Sequence, residues 1–464
     1  MTIKRALLIF IIALTVRVVY AWFFIDTSSL THEDQALYIN LGQNMAQTGE
    51  FLKIVGDGYT TDWVTSRVPG YPQFLAVIYT LFGENNMAVV WVQVIIDSLT
   101  CVVIGLIAES IVSRGFLIAG LISAINLNMI ILSGMILTDT LFLFLFSLFI
   151  LFAFNYLKHL TKLQLFLAVS FLSLATLVRS VSYFLIILLL LLLIFELVRR
   201  KVKLKQILYT VLIYLIPVVI ALGPIHHRNY DKYSSFLLVS QGGKHTLEWV
   251  VPSVYQYSGQ GSYQEGQLLA KDYFEDSMRR DNLQMVTNDP FKNSSYQMQA
   301  AKGLLTELGL LNMLQAWTVG AIINLISPSV AFAPIVREMD RPSFYATPGN
   351  GIINKMTNYV KNTNGFVYLL IITIGTIISL LFLILSIFGI YKMAKSSYSG
   401  KYNKEILIFS LFIVVYFMTI TGPVVGVKYR LPIEPFMVLY FTYFLIYYLQ
   451  IKTRKQDRLK FFKK

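Results

Sequence analysis

Asp34 and Tyr38 stand four residues apart just beyond the first apolar stretch of the chain. This spacing places both side chains on one face of a short helix. The polar segment that carries them lies between two apolar stretches, so it is held at the membrane surface at both ends. A carboxylate in this position can act as a general base on a substrate that is itself anchored in lipid.

Three further polar segments are predicted at the same membrane level. Residues 62–72 contain Arg67 and the turn-forming pair Pro69-Gly70, and residues 137–142 contain Asp139 between two apolar runs. Residues 427–436 carry Lys428 and Arg430 at the start of the last apolar stretch. Charged groups beside hydrocarbon are unfavourable, so such a gathering indicates chemistry or ligand binding.

Each of these residues also has a plain structural interpretation. Asp34 and Asp139 can cap the helices that they precede. Arg67 and Arg430 can reach the lipid headgroups as interfacial anchors. For Arg430 the predicted outward position runs against the usual charge distribution of membrane proteins, which favours phosphate binding.

The composition is that of a polytopic membrane protein. Of the 464 residues, 56% are hydrophobic and 14% are charged, and the mean hydropathy is +0.63. Apolar stretches long enough to cross a ~30 Å hydrocarbon core recur along the chain. About ten transmembrane helices are predicted, in an all-α fold, at 6–24, 87–107, 116–132, 140–157, 163–178, 181–198, 207–225, 366–391, 405–421 and 431–450.

The net charge of +14 is interpreted as a topology signal rather than as a nucleic-acid-binding surface. The basic clusters fall on one side of the membrane if the N-terminus is cytoplasmic, as the positive-inside rule requires. The first apolar stretch contains Arg17 and lacks a small-residue cleavage site, so we expect a retained anchor. Arg17 itself is expected to be snorkelled or paired.

Residues 304–334 are apolar but interrupted by glycine, asparagine and proline, and we expect an interfacial or re-entrant helix there. The whole chain, 1–464, then forms a single transmembrane domain. Its outer face carries a first loop (25–86) with the catalytic motif and a long segment (226–364) with juxtamembrane helices, and a basic tail (451–464) lies in the cytoplasm.

The order of these motifs resembles that of the GT-C superfamily and, more narrowly, is similar to bacterial glycosyltransferase family 39, related to protein O-mannosyltransferases and the aminoarabinose transferase of lipid A. The likeness runs from Asp34-x-x-x-Tyr38 through Arg67-x-Pro-Gly-Tyr-Pro and the motif around Asp139 to the last span. It includes His227-Arg228-Asn229 after the seventh helix and the segment beginning Tyr429-Arg430.

The resemblance implies transfer of a sugar, with inversion, from a polyprenyl-phosphate carrier on the extracytoplasmic face. It implies a catalytic role for Asp34, a second acid at Asp139, and phosphate binding by Arg67 and Arg430. Gln35 stands where many relatives have a second acid, which argues against a paired-acid metal site in the first loop.

The chemistry of the residues agrees with this assignment. Inverting transfer needs a base for the acceptor proton, for which Asp34 is the candidate. The departing phosphate needs cations, which guanidinium groups supply with bidentate geometry. The predicted site comprises catalytic Asp34 and Asp139, with Tyr38, Arg67, Tyr71, Arg179, Arg228, Lys428 and Arg430 as substrate-binding residues.

No cofactor is required by these residues, although a divalent metal ion remains an alternative. His226, His227, His245 and Glu248 could bind one, but without a defined ligand spacing surface histidines are the better interpretation. The lone Cys101 lies within a predicted span, so an intrachain disulfide is excluded. Tyr255, Tyr257 and Tyr263 could stack on a sugar or lie in the headgroup region.

The predicted protein is therefore a multi-pass glycosyltransferase of a bacterial cytoplasmic membrane, with its active site outside. Its partners are a polyprenyl-phosphate-linked sugar donor, membrane lipids and an acceptor that is a protein, a lipid A-like glycolipid or a wall polymer. Nucleic acid is not among them. The alternative is a transporter or lipid flippase, which predicts a polar pathway through the membrane midplane instead of polar groups at one face.

Overall fold

The computed structural model describes residues 3–26, 30, 34–55, 58–286, 288–341, 351–395 and 401–461. Glu33, in the first-loop motif, and the last residues of the predicted tail, 462–464, lie outside these ranges, as do 342–350 within the long outer segment. In chain order the first half contains α1 (Ile3–Phe24), α2 (Asp34–Thr48), β1 (Leu52–Val55), β2 (Gly58–Trp63), α3 (Gly70–Phe82), α4 (Asn86–Glu109), α5 (Gly115–Ala124), α6 (Leu127–Ser133), α7 (Asp139–His159), α8 (Lys162–Val178), α9 (Tyr183–Arg199) and α10 (Leu204–Tyr233).

The second half begins with seven helices of the predicted outer segment and ends with long apolar helices. These elements are α11 (Gln241–His245), a π-helical turn (Thr246–Val250), α12 (Val251–Tyr257), α13 (Tyr263–Arg280), α14 (Pro290–Leu308), α15 (Leu310–Ile326), α16 (Pro334–Arg337), α17 (Gly351–Val360), α18 (Thr363–Lys395), α19 (Lys401–Thr421) and α20 (Glu434–Phe461). Two 3₁₀ turns, Val427–Tyr429 and Leu431–Ile433, precede α20. The predicted helical membrane fold is confirmed, with one addition, the antiparallel β1–β2 hairpin.

Eight helices of the described chain are long and apolar enough to cross a membrane, and up to ten if each of two bent pairs counts as one span. Each of the eight overlaps a predicted span. The predicted span 116–132 is the bent pair α5 and α6, whose axes differ by 54°, and the predicted span 163–178 is the 17-residue helix α8. The described chain therefore contains eight to ten candidate spans, against about ten predicted.

The bend between α5 and α6 comes from a helix cap inside an apolar stretch. The Asn126 side chain accepts hydrogen bonds from the backbone N–H groups of Asn128 and Met129 and so begins a new helix. An asparagine in this position competes with the continuing helix because its side chain satisfies the free donors of the new one. Hydropathy alone does not register such a cap.

Arg17 is fully buried and joins three helices of the bundle. Its guanidinium pairs with Asp97 on α4 and donates to the carbonyls of Ser123 and Ala124 at the end of α5. A further hydrogen bond reaches the sulfur of Cys101. A charge buried in hydrocarbon persists only when it is paired and hydrogen-bonded. Arg17 is thus paired, as expected, and holds α1 to its neighbours.

α15 crosses over the connection between α19 and α20. The Trp317 ring nitrogen donates to the carbonyl of Thr419, and a Cβ on Gly320 would lie 2.7 Å from the Cα of Pro423. The axis of α15 turns by 101° from that of α14. These contacts hold α15 against the connection between α19 and α20.

Candidate functional site

The predicted base Asp34 lies between two of the predicted cations. As the first residue of α2, it places its carboxylate 3.2 Å from Nζ of Lys428 and 3.5 Å from NH2 of Arg67. The Asp34 side chain is 43% exposed, against 25% for Lys428 and 21% for Arg67. Residues almost 400 positions apart in sequence therefore form one half-exposed ion-pair cluster.

The Arg67 segment is held in place by two neighbours. The Ser240 backbone N–H donates to the Thr65 carbonyl and the two hydroxyls hydrogen-bond at 2.8 Å, which ties the segment to the turn before α11. A Cβ on Gly70 would lie 2.6 Å from the Leu177 carbonyl oxygen, so only glycine lets α3 begin this close to α8. The Pro-Gly turn noted in the sequence thereby aims Arg67 at Asp34.

Asn324 fixes the segment that carries Lys428. Its buried amide donates to the Val424 carbonyl at 3.0 Å and accepts from the Gly426 N–H at 2.8 Å. The 3₁₀ turn that contains Lys428 begins at the next residue. α15 therefore positions the segment between α19 and α20, from which the ammonium group of Lys428 reaches Asp34.

The second predicted acid is a buried ion-pair partner. Asp139 begins α7 with only 1% of its surface exposed, and it binds the guanidinium of Arg179 at the end of α8. The Arg179 guanidinium also lies over the Tyr429 ring, 5.9 Å from its centroid. The pair lies close to the Asp34 cluster, but the Asp139 carboxylate is enclosed rather than open to a substrate.

Tyr38 and Tyr71 form the wall between the two acids. Their rings meet edge to face with centroids 5.2 Å apart, and the Tyr71 hydroxyl donates to Gln93 at 2.7 Å. Tyr71 is fully buried and Tyr38 is 9% exposed. Tyr71 therefore packs against Tyr38 and holds its ring in place.

The charges of the site set the ionisation of its groups. Burial opposes ionisation of Asp34, but Lys428 and Arg67 outweigh it and hold the pKa of the carboxyl below its usual value. Burial raises the pKa of the Tyr38 hydroxyl, which lies within electrostatic range of Arg67, Asp34, Arg179 and Asp139. At neutral pH the cluster thus contains an ionised acid and a neutral phenol.

A cleft beside Asp34 is lined by both charged and apolar side chains. Its lining comprises Asp34, Gln35, Met135, Leu137, Phe332, Arg337 and Lys428. The Gln35 amide oxygen accepts a hydrogen bond from the backbone of Ile136 at 2.9 Å, so this residue fastens α2 to the apolar wall. Gln35, noted in the sequence as a departure from relatives, has a structural contact of its own.

Two of the predicted substrate-binding arginines have other partners. Arg430 is 3% exposed, and its guanidinium binds Glu434 at 2.8 Å and the carbonyls of Leu325 and Ser327. Arg228, at the end of α10, hydrogen-bonds to the side chain of Asn229. The structure does not bring either into the Asp34 cluster, and phosphate binding by them stays a prediction from sequence.

Two residues near the site were not predicted as part of it. Arg337 of α16 lines the cleft, although no motif in the sequence marks its segment. His245 of α11 is half-buried and stacks on Trp249 with centroids 5.6 Å apart. Burial lowers the pKa of His245, and the nearby charges of Arg67 and Lys428 lower it further. The imidazole beside the site is therefore neutral at neutral pH.

The side chains of the described ranges do not suit a divalent metal. Within them no three His, Cys, Asp or Glu side chains come together as ligands, and this includes the histidines considered from sequence. Asp34 and Asp139 each face cations instead. A metal ion needs carboxylates or imidazoles free to coordinate it.

Comparison with known proteins points to one class. The family model for dolichyl-phosphate-mannose-protein mannosyltransferases matches residues 66–222, about a third of the chain. The fold is similar to that of the oligosaccharyltransferase AglB from Archaeoglobus fulgidus, solved with an inhibitory peptide and a dolichol-phosphate, with a TM-score of 0.52 and 11% identity. This likeness covers 98% of the present chain and 51% of AglB, so the chain spans about half the length of that protein.

A second solved structure is ArnT from Cupriavidus metallidurans bound to undecaprenyl phosphate. It has a TM-score of 0.37 and 14% identity, and the match covers 96% of this chain and 77% of ArnT. Comparison with curated proteins gives no match. The protein is thus a multi-pass, helical membrane protein with a GT-C fold. The likeness to AglB defines this fold, and the family model matches only the part of the chain from residue 66 to residue 222.

Proposed function

We propose that this protein is an inverting glycosyltransferase that moves a sugar from a polyprenyl-phosphate carrier to an acceptor hydroxyl or amine. The observation that carries the proposal is the Asp34 carboxylate held between Arg67 and Lys428 at the mouth of a partly apolar cleft. A base, two phosphate-binding cations and a hydrophobic wall are the groups that such a transfer requires.

The cleft has the two chemical surfaces of a polyprenyl phosphate. Met135, Leu137 and Phe332 supply an apolar wall for the first isoprene units. The cations beside Asp34 suit the phosphate, which they can bind by charge-assisted hydrogen bonds. The archaeal protein with the same fold was solved with a dolichol-phosphate, which supports a carrier of this class.

The reaction follows from the placement of these groups. Asp34 accepts the proton of the acceptor as the acceptor atom attacks the anomeric carbon. The bond from that carbon to the phosphate oxygen breaks, and its electron pair leaves with the phosphate. Arg67 and Lys428 stabilise the charge that develops there. Attack opposite to the leaving group inverts the configuration at the anomeric carbon.

Binding of the donor would also activate the base. Without substrate, Lys428 and Arg67 hold the pKa of Asp34 low, which makes its carboxylate a weak proton acceptor. A phosphate that draws these cations to itself reduces their hold on Asp34. The pKa of Asp34 then rises, so the base becomes stronger only when the donor is present.

The neighbouring pair would act by positioning. Arg179 pairs with Asp139 and lies over the ring of Tyr429, the residue that follows Lys428 in the sequence. Tyr38, backed by Tyr71, forms the surface against which a sugar ring can lie. In this proposal Asp139 keeps Arg179 in place and does not itself contact the substrate.

The distribution of charge supports an outward-facing site in a bacterial cytoplasmic membrane. The site residues lie at the end of the helix bundle where α1 finishes; they are Asp34, Asp139, Arg179 and Lys428. Arg199 and Arg200 lie at the opposite end of the bundle, where α9 finishes. Under the positive-inside rule the basic end is cytoplasmic. The acceptor is then an extracytoplasmic protein, glycolipid or envelope glycan.

The test measures sugar transfer in isolated membranes supplied with a panel of radiolabelled polyprenyl-phosphate hexoses and pentoses. Asp34→Asn is compared at matched expression with Glu84→Gln, which alters an exposed carboxylate of the same loop. We expect Asp34→Asn to lower transfer about 10²- to 10⁴-fold and Glu84→Gln to preserve it. Equal transfer by wild type and Asp34→Asn would remove Asp34 from the mechanism, and no transfer by wild type from any donor would overturn the activity.

A further inference from the structure

Arg337 is a cation of the cleft that pairs with neither Asp34 nor Asp139. It lines the cleft together with Asp34 and Lys428. Within the described chain its one ion-pair partner is the adjacent Glu338, at 3.8 Å, and its guanidinium makes no hydrogen bond there. By contrast, Arg67 and Lys428 pair with Asp34, and Arg179 pairs with Asp139. An available guanidinium beside an ion-paired acid is suited to an incoming anion.

The segment that carries Arg337 is anchored by packing. Ala333 and Val336 are 6% and 4% exposed and pack with Ile131 of α6, which is 3% exposed. Beyond α16, Arg341 lies 3.7 Å from the centroid of the Tyr368 ring, and Asn364 donates to the carbonyl of Asp340. Arg337 is therefore held at the cleft by a fixed backbone on both sides of it.

The charges of the cleft explain what Arg337 would add. Around the two acids, Asp34 and Asp139, stand Arg67, Arg179, Lys428 and Arg337. The donor carries a phosphodiester with one negative charge, whereas the carrier released by transfer is a phosphate monoester that approaches two. The second charge appears during the reaction, and a cation not engaged by an acid of the site can accept it.

We propose that Arg337 binds the carrier phosphate in the cleft beside Asp34 and stabilises the charge that this phosphate gains on transfer. This inference rests on the proposed function. Phe332, five residues earlier, belongs to the apolar wall of the same cleft. The segment 332–337 thus contacts both the isoprenoid and the phosphate of one carrier molecule.

The matched control is in the same segment. Arg341 has the same side chain, but its guanidinium is occupied by Tyr368 and by the Tyr359 hydroxyl at 3.5 Å. Wild type, Arg337→Gln, Arg337→Lys and Arg341→Gln are reconstituted in nanodiscs. Binding is then measured with undecaprenyl phosphate and, as a probe without the phosphate, undecaprenol. Donor KM and kcat are measured in parallel.

We expect Arg337→Gln to weaken binding of undecaprenyl phosphate about tenfold or more, in line with a lost charge-assisted hydrogen bond. Binding of undecaprenol stays the same, Arg337→Lys regains part of the affinity, and Arg341→Gln resembles wild type. Donor kcat falls more than donor binding in Arg337→Gln, because the charge grows during transfer.

Two results would overturn the assignment. Equal affinities of Arg337→Gln and Arg341→Gln for undecaprenyl phosphate would show that Arg337 does not contact the carrier. A raised donor KM with unchanged carrier binding would place the recognised anion in the transferred sugar instead. Failure of the proposed function itself gives a different result, because wild type would then neither transfer sugar nor distinguish undecaprenyl phosphate from undecaprenol.

Discussion

At the scale of single residues, the informative contrast is between Lys428 and Arg430. Both were predicted from one short motif to bind phosphate, and they are separated by one residue. Lys428 reaches Asp34, whereas Arg430 turns into the protein and binds Glu434. The side chains diverge because the motif folds as two successive 3₁₀ turns. Sequence identifies the cations that arrive at this place, but the local turn decides which one faces the site.

The ion pairs of Asp34 predict a specific pH dependence. The acid acts as a base only when ionised, so activity falls at low pH as Asp34 becomes protonated. Since Lys428 and Arg67 lower its pKa, the acid limb of kcat/KM in wild type lies below the usual range for an aspartate, about 3.9. Lys428→Met removes one cation, so the pKa rises and the limb moves to higher pH. The measurement is the pH profile of transfer in proteoliposomes.

The control for this profile is Lys271→Met, which removes an exposed lysine of α13 that pairs with Glu275. We expect its acid limb to coincide with that of wild type. In wild type the acid limb of kcat is expected at higher pH than the acid limb of kcat/KM. The reason is that kcat reports the donor complex, in which the bound phosphate raises the pKa of Asp34. An acid limb that does not move in Lys428→Met would separate Asp34 from the titrating base.

Arg337 shows the limit of residue-level prediction. It belongs to the short helix α16, four residues long, in a segment without a recognisable motif. Arg67, by contrast, stands in a Pro-Gly turn whose glycine is required by the contact with Leu177. A motif can be recognised when backbone geometry demands particular residues, and a cation placed by apolar packing leaves no such pattern.

At the scale of elements, the buried Arg430–Glu434 pair joins helices around the site. Glu434 is fully buried and accepts hydrogen bonds from Asn126 and Asn128 at the bend between α5 and α6. Arg430 donates to two carbonyls around the end of α15. The pair therefore links the start of α20 to α6 and to α15. Of these, α15 also fixes the segment that carries Lys428.

This network predicts different outcomes for the two arginines that sequence assigned to phosphate. Arg430→Met leaves Glu434 as an uncompensated buried charge, so stability falls by roughly 3–5 kcal/mol. Arg67→Met breaks a half-exposed pair worth about 1 kcal/mol or less, so the melting temperature changes little while carrier affinity falls. Thermal melting followed by size-exclusion chromatography, with undecaprenyl phosphate binding in parallel, measures both effects.

A wild-type melting temperature in Arg430→Met, combined with lost carrier binding, would contradict this division of roles. It would return Arg430 to the site as a phosphate ligand. Rescue of stability by Arg430→Lys is the expected companion result, because a lysine keeps the charge even though it cannot reproduce all the hydrogen bonds of a guanidinium.

At the scale of the whole molecule, the transmembrane helices could be predicted because apolar length is a strong signal in sequence. The eight long spans all overlap predicted ones. The cap at Asn126 and the hairpin Leu52–Trp63 were not foreseen, since a single polar residue or a short strand pair does not alter hydropathy over a helical window. The predicted topology placed the segments that carry Asp34 and Lys428 on the same face of the membrane. The structure pairs these two side chains.

The predicted orientation can be measured with single cysteines. Cys101 is fully buried and so is expected to be silent toward a membrane-impermeant maleimide. Gln260→Cys, in the exposed turn before α13, is expected to react in intact spheroplasts. Lys203→Cys, in the turn between α9 and α10, reacts only after lysis. Labelling of Lys203→Cys in intact cells would invert the topology and turn the Asp34 cleft toward the cytoplasm.

The Asp34 cleft draws one side from the first loop and the other from the turn that precedes the final helix. During biosynthesis, the Asp34 carboxylate therefore lacks its Lys428 partner until the chain has grown by a further 394 residues. A polypeptide released early by the ribosome would keep the base and lose a cation that faces it. A chain terminated before residue 428 thus keeps Asp34 without this partner, so the ion-pair cluster is completed only after Lys428 has been synthesised.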